Sequence, residues 1–156
     1  MSVQINIASE YGNMIMTLEE NKQLTYNFYR GFNAQEIDDS FKKFVSPDLK
    51  VYAFGKILSE KEWKDMDNKV FLAFSEFKIT ITDQIAEGDK VVTRAIITGV
   101  HRGEFQGKPA SGNHVKVSVI AIDRISNGKI IEHWAEMDFS SFLQQLVKKE
   151  KDEATS

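Results

Sequence analysis

The feature of this sequence that most limits its fold is a change of hydrophobic pattern near Phe77. Before that residue, apolar side chains recur at helical spacing, whereas after it they form runs rich in Ile, Val and Thr that turn residues interrupt. β-branched residues fit a pleated, half-buried surface better than a helix. Helices followed by long strands predict an α+β domain in which the helices cover one face of a curved sheet.

Two capping boxes mark the beginnings of the longer helices in the first half. Thr17 with Glu20 opens the first helix, whose apolar stripe ends near residues 31–33. Ser59 with Glu62 opens another, which places a second apolar stripe on its inner side. That stripe comprises Trp63, Met66, Val70 and Phe74.

A shorter helix is predicted between these two. Ile37, Phe41 and Phe44 recur at helical spacing, and the Ser46-Pro47 pair ends the pattern because proline cannot continue a helix. Residues 49–54 then alternate as a strand does.

The second half is predicted to be mostly sheet. Asn127-Gly128 has the strongest turn composition in the chain, since both residue types accept the positive φ angles of a tight hairpin. A last helix is expected over residues 140–149. We predict the four long strands at residues 77–86, 90–102, 114–125 and 129–138.

The length and composition favour one domain. The chain has 156 residues, and its 42% apolar content is enough for a core without disulfides. We place this domain at residues 17–149, after an N-terminal extension over residues 1–16 that includes a short strand or turn near residues 3–7. Residues 150–156 form a charged tail.

Charge and cysteine content exclude several classes of function. The net charge is -3 and no basic run follows the chain, which argues against a nucleic-acid partner. No apolar stretch approaches the ~20 residues of a membrane span, and no signal peptide is visible. The absence of cysteine fits the reducing cytoplasm, and the three scattered histidines form no metal motif.

Two segments of the second half resemble the SnoaL-like polyketide cyclase family of the nuclear-transport-factor-2-like (NTF2-like) superfamily. They are TGVHRGEFQG at 98–107 and GKIIEHWAEMD at 128–138, and the wider resemblance covers residues 81–146. It implies a cone-shaped α+β barrel whose N-terminal helices pack on a curved, mixed or antiparallel sheet that encloses a pocket. It also implies a protein that is commonly dimeric and uses neither a metal nor an organic cofactor.

The resemblance implies a range of activities rather than one. Members include cyclases that close a ring on a polyketide ester by aldol chemistry, relatives that isomerise or hydrolyse, and members without an assigned activity. In the cyclases, a carboxylate four residues beyond the tryptophan acts as general acid/base, and Asp138 holds that position here. The supporting histidines are missing, since residues 118–121 read Ser-Val-Ile-Ala and Tyr52 stands in the first strand.

Asp138 and His101 are the candidate catalytic residues. A desolvated carboxyl at a pocket rim could move a proton next to a carbonyl, but Asp138 could equally cap the following helix near Ser141. His101 shares its strand face with Val91, so it could orient a carbonyl or hold Asp138. The alternative for His101 is a purely structural role at a strand end.

Strand alternation predicts which side chains line the pocket. Glu132, Trp134, Glu136 and Asp138 share one face, which we assign to a polar cavity, and His133 lies on the other face at a dimer contact. Aromatic and apolar residues are expected to contact a flat or cyclic ligand, although each could instead be ordinary core. Together with Trp134 they are Tyr29, Tyr52, Phe54, Trp63 and Met66.

Two hypotheses about function follow. The first is a cofactor-independent cyclase or isomerase in which Asp138 exchanges protons with a carbonyl compound while His101 and Tyr52 assist. The second is a non-catalytic domain that binds a small hydrophobic or aromatic ligand or a protein partner. In both, apolar residues on the two faces of the strand at 114–125 predict a homodimer through the exposed sheet face.

Overall fold

The computed structural model describes residues 15–147, so the predicted strand or turn at residues 3–7 and the tail at 150–156 lie outside the described residues. This part of the chain contains four helices and six strands. Two helices precede the first strand, one lies between the second and third strands, and one follows the last strand. The helices are α1 (Leu18–Asn33), α2 (Ile37–Phe44), α3 (Glu60–Ala73) and α4 (Phe139–Gln145). The strands are β1 (Val45–Ala53), β2 (Lys56–Ser59), β3 (Phe74–Glu87), β4 (Lys90–His101), β5 (His114–Ser126) and β6 (Lys129–Met137).

The strands form one mixed sheet in the order β2-β1-β6-β5-β4-β3. β1 runs parallel to β6, and the other neighbours are antiparallel. The α+β prediction is confirmed, with N-terminal helices on a curved sheet. The sheet is open rather than a closed barrel, because β2 and β3 are its edges.

Local signals in the sequence explain most element boundaries. Both predicted capping boxes are present, with the Thr17 hydroxyl accepting from the Glu20 amide and the Ser59 hydroxyl accepting from the Glu62 amide. Asn127 and Gly128 have φ angles of 52° and 69°, which are the angles that a tight hairpin turn requires.

The structure differs from the prediction at β1, which begins at Val45 instead of residue 49, and at three further places. β2 was not predicted, because its four residues are too few to show alternation. Phe74 begins β3 instead of ending α3, and its helical spacing from Val70 concealed this change. Glu76 follows with a φ of 53° where the register between β3 and β4 shifts. α4 ends at Gln145, short of the predicted residue 149, although residues 148 and 149 lie outside the described part.

The main core lies between the first three helices and one sheet face. Phe28 is fully buried and its ring lies within 5.1–5.6 Å of four aromatic neighbours. Asn33, at the end of α1, holds the helix on the sheet through both backbone polar groups of Ile79. A second core cluster surrounds Phe74 and Phe142 under α4. The helices therefore cover one face of the sheet from two sides.

The pairing register shows which side chains lie under the helices. Val51, His133, Asp123 and Val91 are neighbours across four strands, and all four are buried. Because side chains alternate, the residues next to them point to the uncovered face. That uncovered row consists of Ile57, Tyr52, Trp134, Ile122, Val92 and Ile85.

Candidate functional site

A buried carboxyl–imidazole pair lies at the centre of the covered sheet face. Asp123 of β5 and His133 of β6 occupy paired positions in the antiparallel ladder. The Asp123 Oδ1 and His133 Nδ1 atoms are 2.7 Å apart, and the exposed fractions of the two residues are 0% and 5%. Two ionisable groups are retained in an apolar interior only when they satisfy each other. The carboxyl therefore fixes the orientation of the imidazole ring.

Tyr29 joins this pair from α1. Its hydroxyl donates to Asp123 Oδ2 over 2.5 Å and lies 3.4 Å from His133 Nδ1. Burial raises the pKa of Tyr29 well above its usual value, and the neighbouring Asp123 raises it further. Tyr29 consequently stays a neutral donor, and both oxygens of the Asp123 carboxyl have partners.

Trp63 of α3 covers the histidine. The Trp63 and His133 rings are stacked, with centroids 4.0 Å apart and planes inclined by 20°. Trp63 is itself 8% exposed and belongs to the main core. Within residues 15–147, His133 Nε2 has no hydrogen-bond partner, since both contacts of the ring use Nδ1. The free nitrogen is therefore the one that a ligand could use.

Asp67 adds a second carboxyl from α3, one helical turn after Trp63. Its Oδ2 atom is enclosed and has no hydrogen-bond partner among the described residues. Burial raises the pKa of Asp67 from 3.8 to about 8. When Asp67 is ionised, its charge raises the pKa of Tyr29 further. We call Tyr29, Asp67, Asp123 and His133, with Trp63, the buried polar cluster.

Small side chains adjoin this cluster on the covered face. Ala121 pairs with Thr93 on one side and with Ala135 on the other, two residues along from Asp123 and His133. Ala135 is only half-buried although it points toward the helices. Small residues in these positions leave more space between the sheet and α3 than large ones would.

A surface cavity of about 510 Å³ lies elsewhere, between the turn after α1 and α3. It is lined by Gln35, Glu36, Ile37, Asp38, Asp39, Asn68 and Phe71. None of the buried polar cluster lines it, and it contains three carboxylates over a small apolar floor. The hydrogen-bonded cluster, rather than this cavity, defines the candidate site.

Asp138 does not lie in this cluster. It is exposed, and its Oδ1 accepts from the Ser141 amide over 2.9 Å as the N-cap of α4. Asp138 therefore has the helix-capping role that the sequence offered as the alternative to acid/base catalysis. The placement removes the desolvation from which an acid/base role was expected, because the carboxyl is in contact with water.

His101 is fully buried but lies at the far end of β4 from Val91, the neighbour of Asp123. Its Nδ1 is 3.0 Å from Ser111 Oγ, and its ring stacks on Phe74 in the second core cluster. His101 therefore lies on the covered face, as expected. Among the described residues it bonds to Ser111, and Asn113 lies nearby in the same loop, whereas no hydrogen bond joins His101 to Asp138.

The predicted ligand-binding residues divide between the two faces. Tyr29 and Trp63 lie in the buried polar cluster, whereas Tyr52 and Trp134 stack on each other on the uncovered face, 5.0 Å apart. Trp134 therefore lies on the face opposite the buried polar cluster, and a ligand contact by Trp134 or Tyr52 stays a prediction. His133, expected at a dimer contact, faces the interior because Asp123 and Trp63 hold it there.

Phe54 and Met66 lie at more open positions. Phe54 is 63% exposed at the turn between β1 and β2, and its ring contacts Phe139 at 5.6 Å. Met66 of α3 is 36% exposed. Within residues 15–147, the stacking and hydrogen-bond partners of the His133 ring are Trp63, Asp123 and Tyr29.

The sequence analysis missed Asp67 and Asp123. Asp123 interrupts the alternating series Val115, Val117, Val119, Ala121 and Ile125, so it stands on an apolar face. Asp67 likewise interrupts an apolar series, because it lies one turn from Trp63 on the apolar stripe of α3. An ionisable residue within an apolar period is the signal that would have identified both.

Within residues 15–147, no group of three or more metal-binding side chains comes together, and no helix is long and apolar enough to cross a membrane. The model of the SnoaL-like polyketide cyclase family matches residues 23–146. The chain belongs to the SnoaL-like polyketide cyclase family. No curated protein sequence matches it.

Solved structures of similar fold are numerous. AclR of Streptomyces galilaeus, a proposed hydroxylase, is 25% identical with a TM-score of 0.78, covering 83% of this chain and 97% of AclR. IdmH of Streptomyces antibioticus, a proposed polyketide cyclase, is 24% identical with a TM-score of 0.72, covering 81% and 97%. A SnoaL-like polyketide cyclase of Agrobacterium tumefaciens is 17% identical with a TM-score of 0.68, covering 85% and 100%. Family membership and these neighbours support a domain with a pocket for a small molecule.

Proposed function

We propose that this chain is a cofactor-independent enzyme of the cyclase or isomerase kind, which moves a proton next to a carbonyl group. The observation that carries the proposal is the buried Asp123–His133 pair, held by Tyr29 and covered by Trp63. Asp123 accepts from His133 Nδ1, so Nε2 is left as the basic nitrogen. This replaces Asp138 as the favoured general base, because Asp138 is exposed and caps α4.

The chemistry follows from this orientation. His133 Nε2 takes a proton from the carbon next to a ligand carbonyl, and the electron pair of the broken C–H bond forms an enolate. In ring closure, the enolate carbon attacks a second carbonyl of the same molecule, and the alkoxide that forms takes up the proton. In isomerisation, the ligand is conjugated and the dienolate takes up the proton at a different carbon. In each case His133 returns the proton, so no oxidant or cofactor is needed. The negative charge of Asp123 stabilises the imidazolium that forms between the two steps.

The proposal is tested by proton exchange with an aromatic ketone, 1-tetralone, followed by NMR in D₂O. We expect His133→Gln to reduce the exchange rate by about 10²-fold or more, the usual contribution of a general base. His114→Gln serves as the matched control, since His114 is exposed. Exchange at the wild-type rate by a folded His133→Gln protein would refute the assignment of His133 as the base.

A second candidate function is a non-catalytic domain that binds a small hydrophobic ligand. One observation favours it: Tyr29, Asp123 and His133 satisfy one another and are almost wholly enclosed. Such a cluster also serves to fix a unique packing arrangement. A wild-type protein that binds 1-tetralone but exchanges none of its protons would support this alternative.

A further inference from the structure

Asp67 is the one member of the buried polar cluster that the proposed reaction leaves without a role. Its Oδ2 atom is enclosed and lacks a hydrogen-bond partner within residues 15–147. Leaving a polar atom unsatisfied in the interior costs about 1–3 kcal/mol. Such atoms are rare in native proteins, and each one requires an explanation.

Asp67 lies on the side of α3 that faces the proposed base, His133. It lies one helical turn beyond Trp63, whose ring covers His133, and one turn before Phe71. Asp67 also contributes to raising the pKa of Tyr29, so the two side chains are close enough to interact. Asp67 is therefore on the stripe of α3 that faces the same part of the sheet as the proposed base.

The charges around Asp67 restrict what could complete its hydrogen bonding. The titratable groups of the cluster are Tyr29 from α1, Asp123 from β5 and His133 from β6, and Tyr29 and His133 are already bonded to Asp123. Among the lysines of α3 near Asp67, Lys64 pairs with Asp38 and Glu60. Lys69 is exposed, and its charge acts on Asp65. An anionic ligand would consequently have no free cation here and would meet two carboxyl groups.

We infer that Asp67 is a specificity-determining residue whose protonated carboxyl donates a hydrogen bond to the oxygen of an uncharged carbonyl ligand. This inference rests on the proposed function, because it places the ligand of His133 beside α3. Burial keeps the proton on this carboxyl at neutral pH, since the pKa is raised to about 8. A carboxylic acid held neutral in this way is a strong donor to a carbonyl oxygen as charge develops on it. The site should therefore prefer ketones and esters over carboxylates.

Binding of a matched pair of probes tests the inference. 2-Acetylnaphthalene is an uncharged ketone, and 2-naphthoate has the same ring system with a carboxylate. At pH 6.5 we expect the ketone to bind at least about tenfold more tightly than the carboxylate to the wild-type protein, measured by the quenching of tryptophan fluorescence. Asp67→Asn keeps a neutral donor and should bind the ketone within about threefold of wild type, whereas Asp67→Leu should lose about tenfold.

Controls separate a ligand contact from a structural role. Asp65→Leu makes the same change on the exposed side of the same helix and should leave ketone binding unchanged. The melting temperature of Asp67→Leu should not fall, because the change removes a half-buried carboxyl whose enclosed Oδ2 atom has no hydrogen-bond partner within residues 15–147. The inference would be overturned if wild type and Asp67→Leu bound the ketone equally well. It would also be overturned if wild type bound both probes equally well. Neither result would change the outcome of the His133 exchange experiment. Failure of the ketone to bind any of these proteins would overturn it as well, and a wild-type protein that also exchanged no protons would refute the proposed function.

Discussion

Asp67 links the stability of the fold to pH through its raised pKa. The carboxyl keeps its proton up to a pH of about 8 in the folded state, against an ordinary value of 3.8. Between these two pH values the unfolded chain releases a proton that the folded chain retains, so the free energy of unfolding falls as pH rises. The contribution of one such group is at most about 1.4 kcal/mol for each pH unit. Below a pH of about 4 both states are protonated and the penalty disappears.

The comparison with Asp67→Asn isolates this contribution. The amide cannot ionise, so the variant should match wild type near pH 4 and become progressively more stable than wild type toward pH 8. Urea unfolding at pH 4, 6 and 8 measures the difference. A constant difference between the two proteins over this range would show that the pKa of Asp67 is not raised by folding.

The residues of the site could be found from the sequence only in part. Asp123 and His133 interrupt apolar alternation, and Asp67 interrupts a helix stripe, so each is recognisable as an ionisable group on an apolar face. Their combination was not predictable, because Tyr29 and Asp123 are 94 residues apart and meet only through the packing of α1 on the sheet. The choice of Asp138 relied on resemblance, and its N-cap position is also what its local sequence favours.

At the level of single elements, α4 tests whether Asp138 has any role beyond capping. Asparagine caps a helix about as well as aspartate does, whereas alanine does not. Asp138→Asn should therefore keep the stability and the proton-exchange rate of wild type, while Asp138→Ala should lose about 1 kcal/mol of stability at an unchanged rate. Thermal unfolding and the 1-tetralone assay give the two quantities. A slower exchange in Asp138→Asn with unchanged stability would restore Asp138 as the acid/base group.

The elements themselves were mostly predictable, because helix caps and hairpin turns are local features. The errors occur where pairing with a distant strand determines the secondary structure. β2 is a strand because it pairs with β1, and Phe74 leaves the helical pattern because it pairs with His101 in β4. Neither pairing has a signature within a short window of sequence.

At the scale of the whole molecule, the uncovered sheet face combines apolar and charged rows. The apolar row crosses all six strands, and within it Tyr52 stacks on Trp134. Charged pairs flank the row on both sides, with Arg94 bonded to Asp83 and Arg124 bonded to Glu132. Since these charges already have partners, the face can approach a second copy of itself without leaving them unpaired.

We therefore expect the protein to be a homodimer through this face, with twice the chain mass of 17.8 kDa in light scattering at micromolar concentration. Ile122 lies at the middle of the apolar row, between Trp134 and Val92, so Ile122→Lys should place an unpaired charge in the interface and give a monomer. Leu72→Lys is the matched control, because Leu72 is 84% exposed on α3 and should keep the dimer. A monomeric wild-type protein, or a dimer that survives Ile122→Lys, would mean that this face is not the interface and that its apolar row is open to another partner.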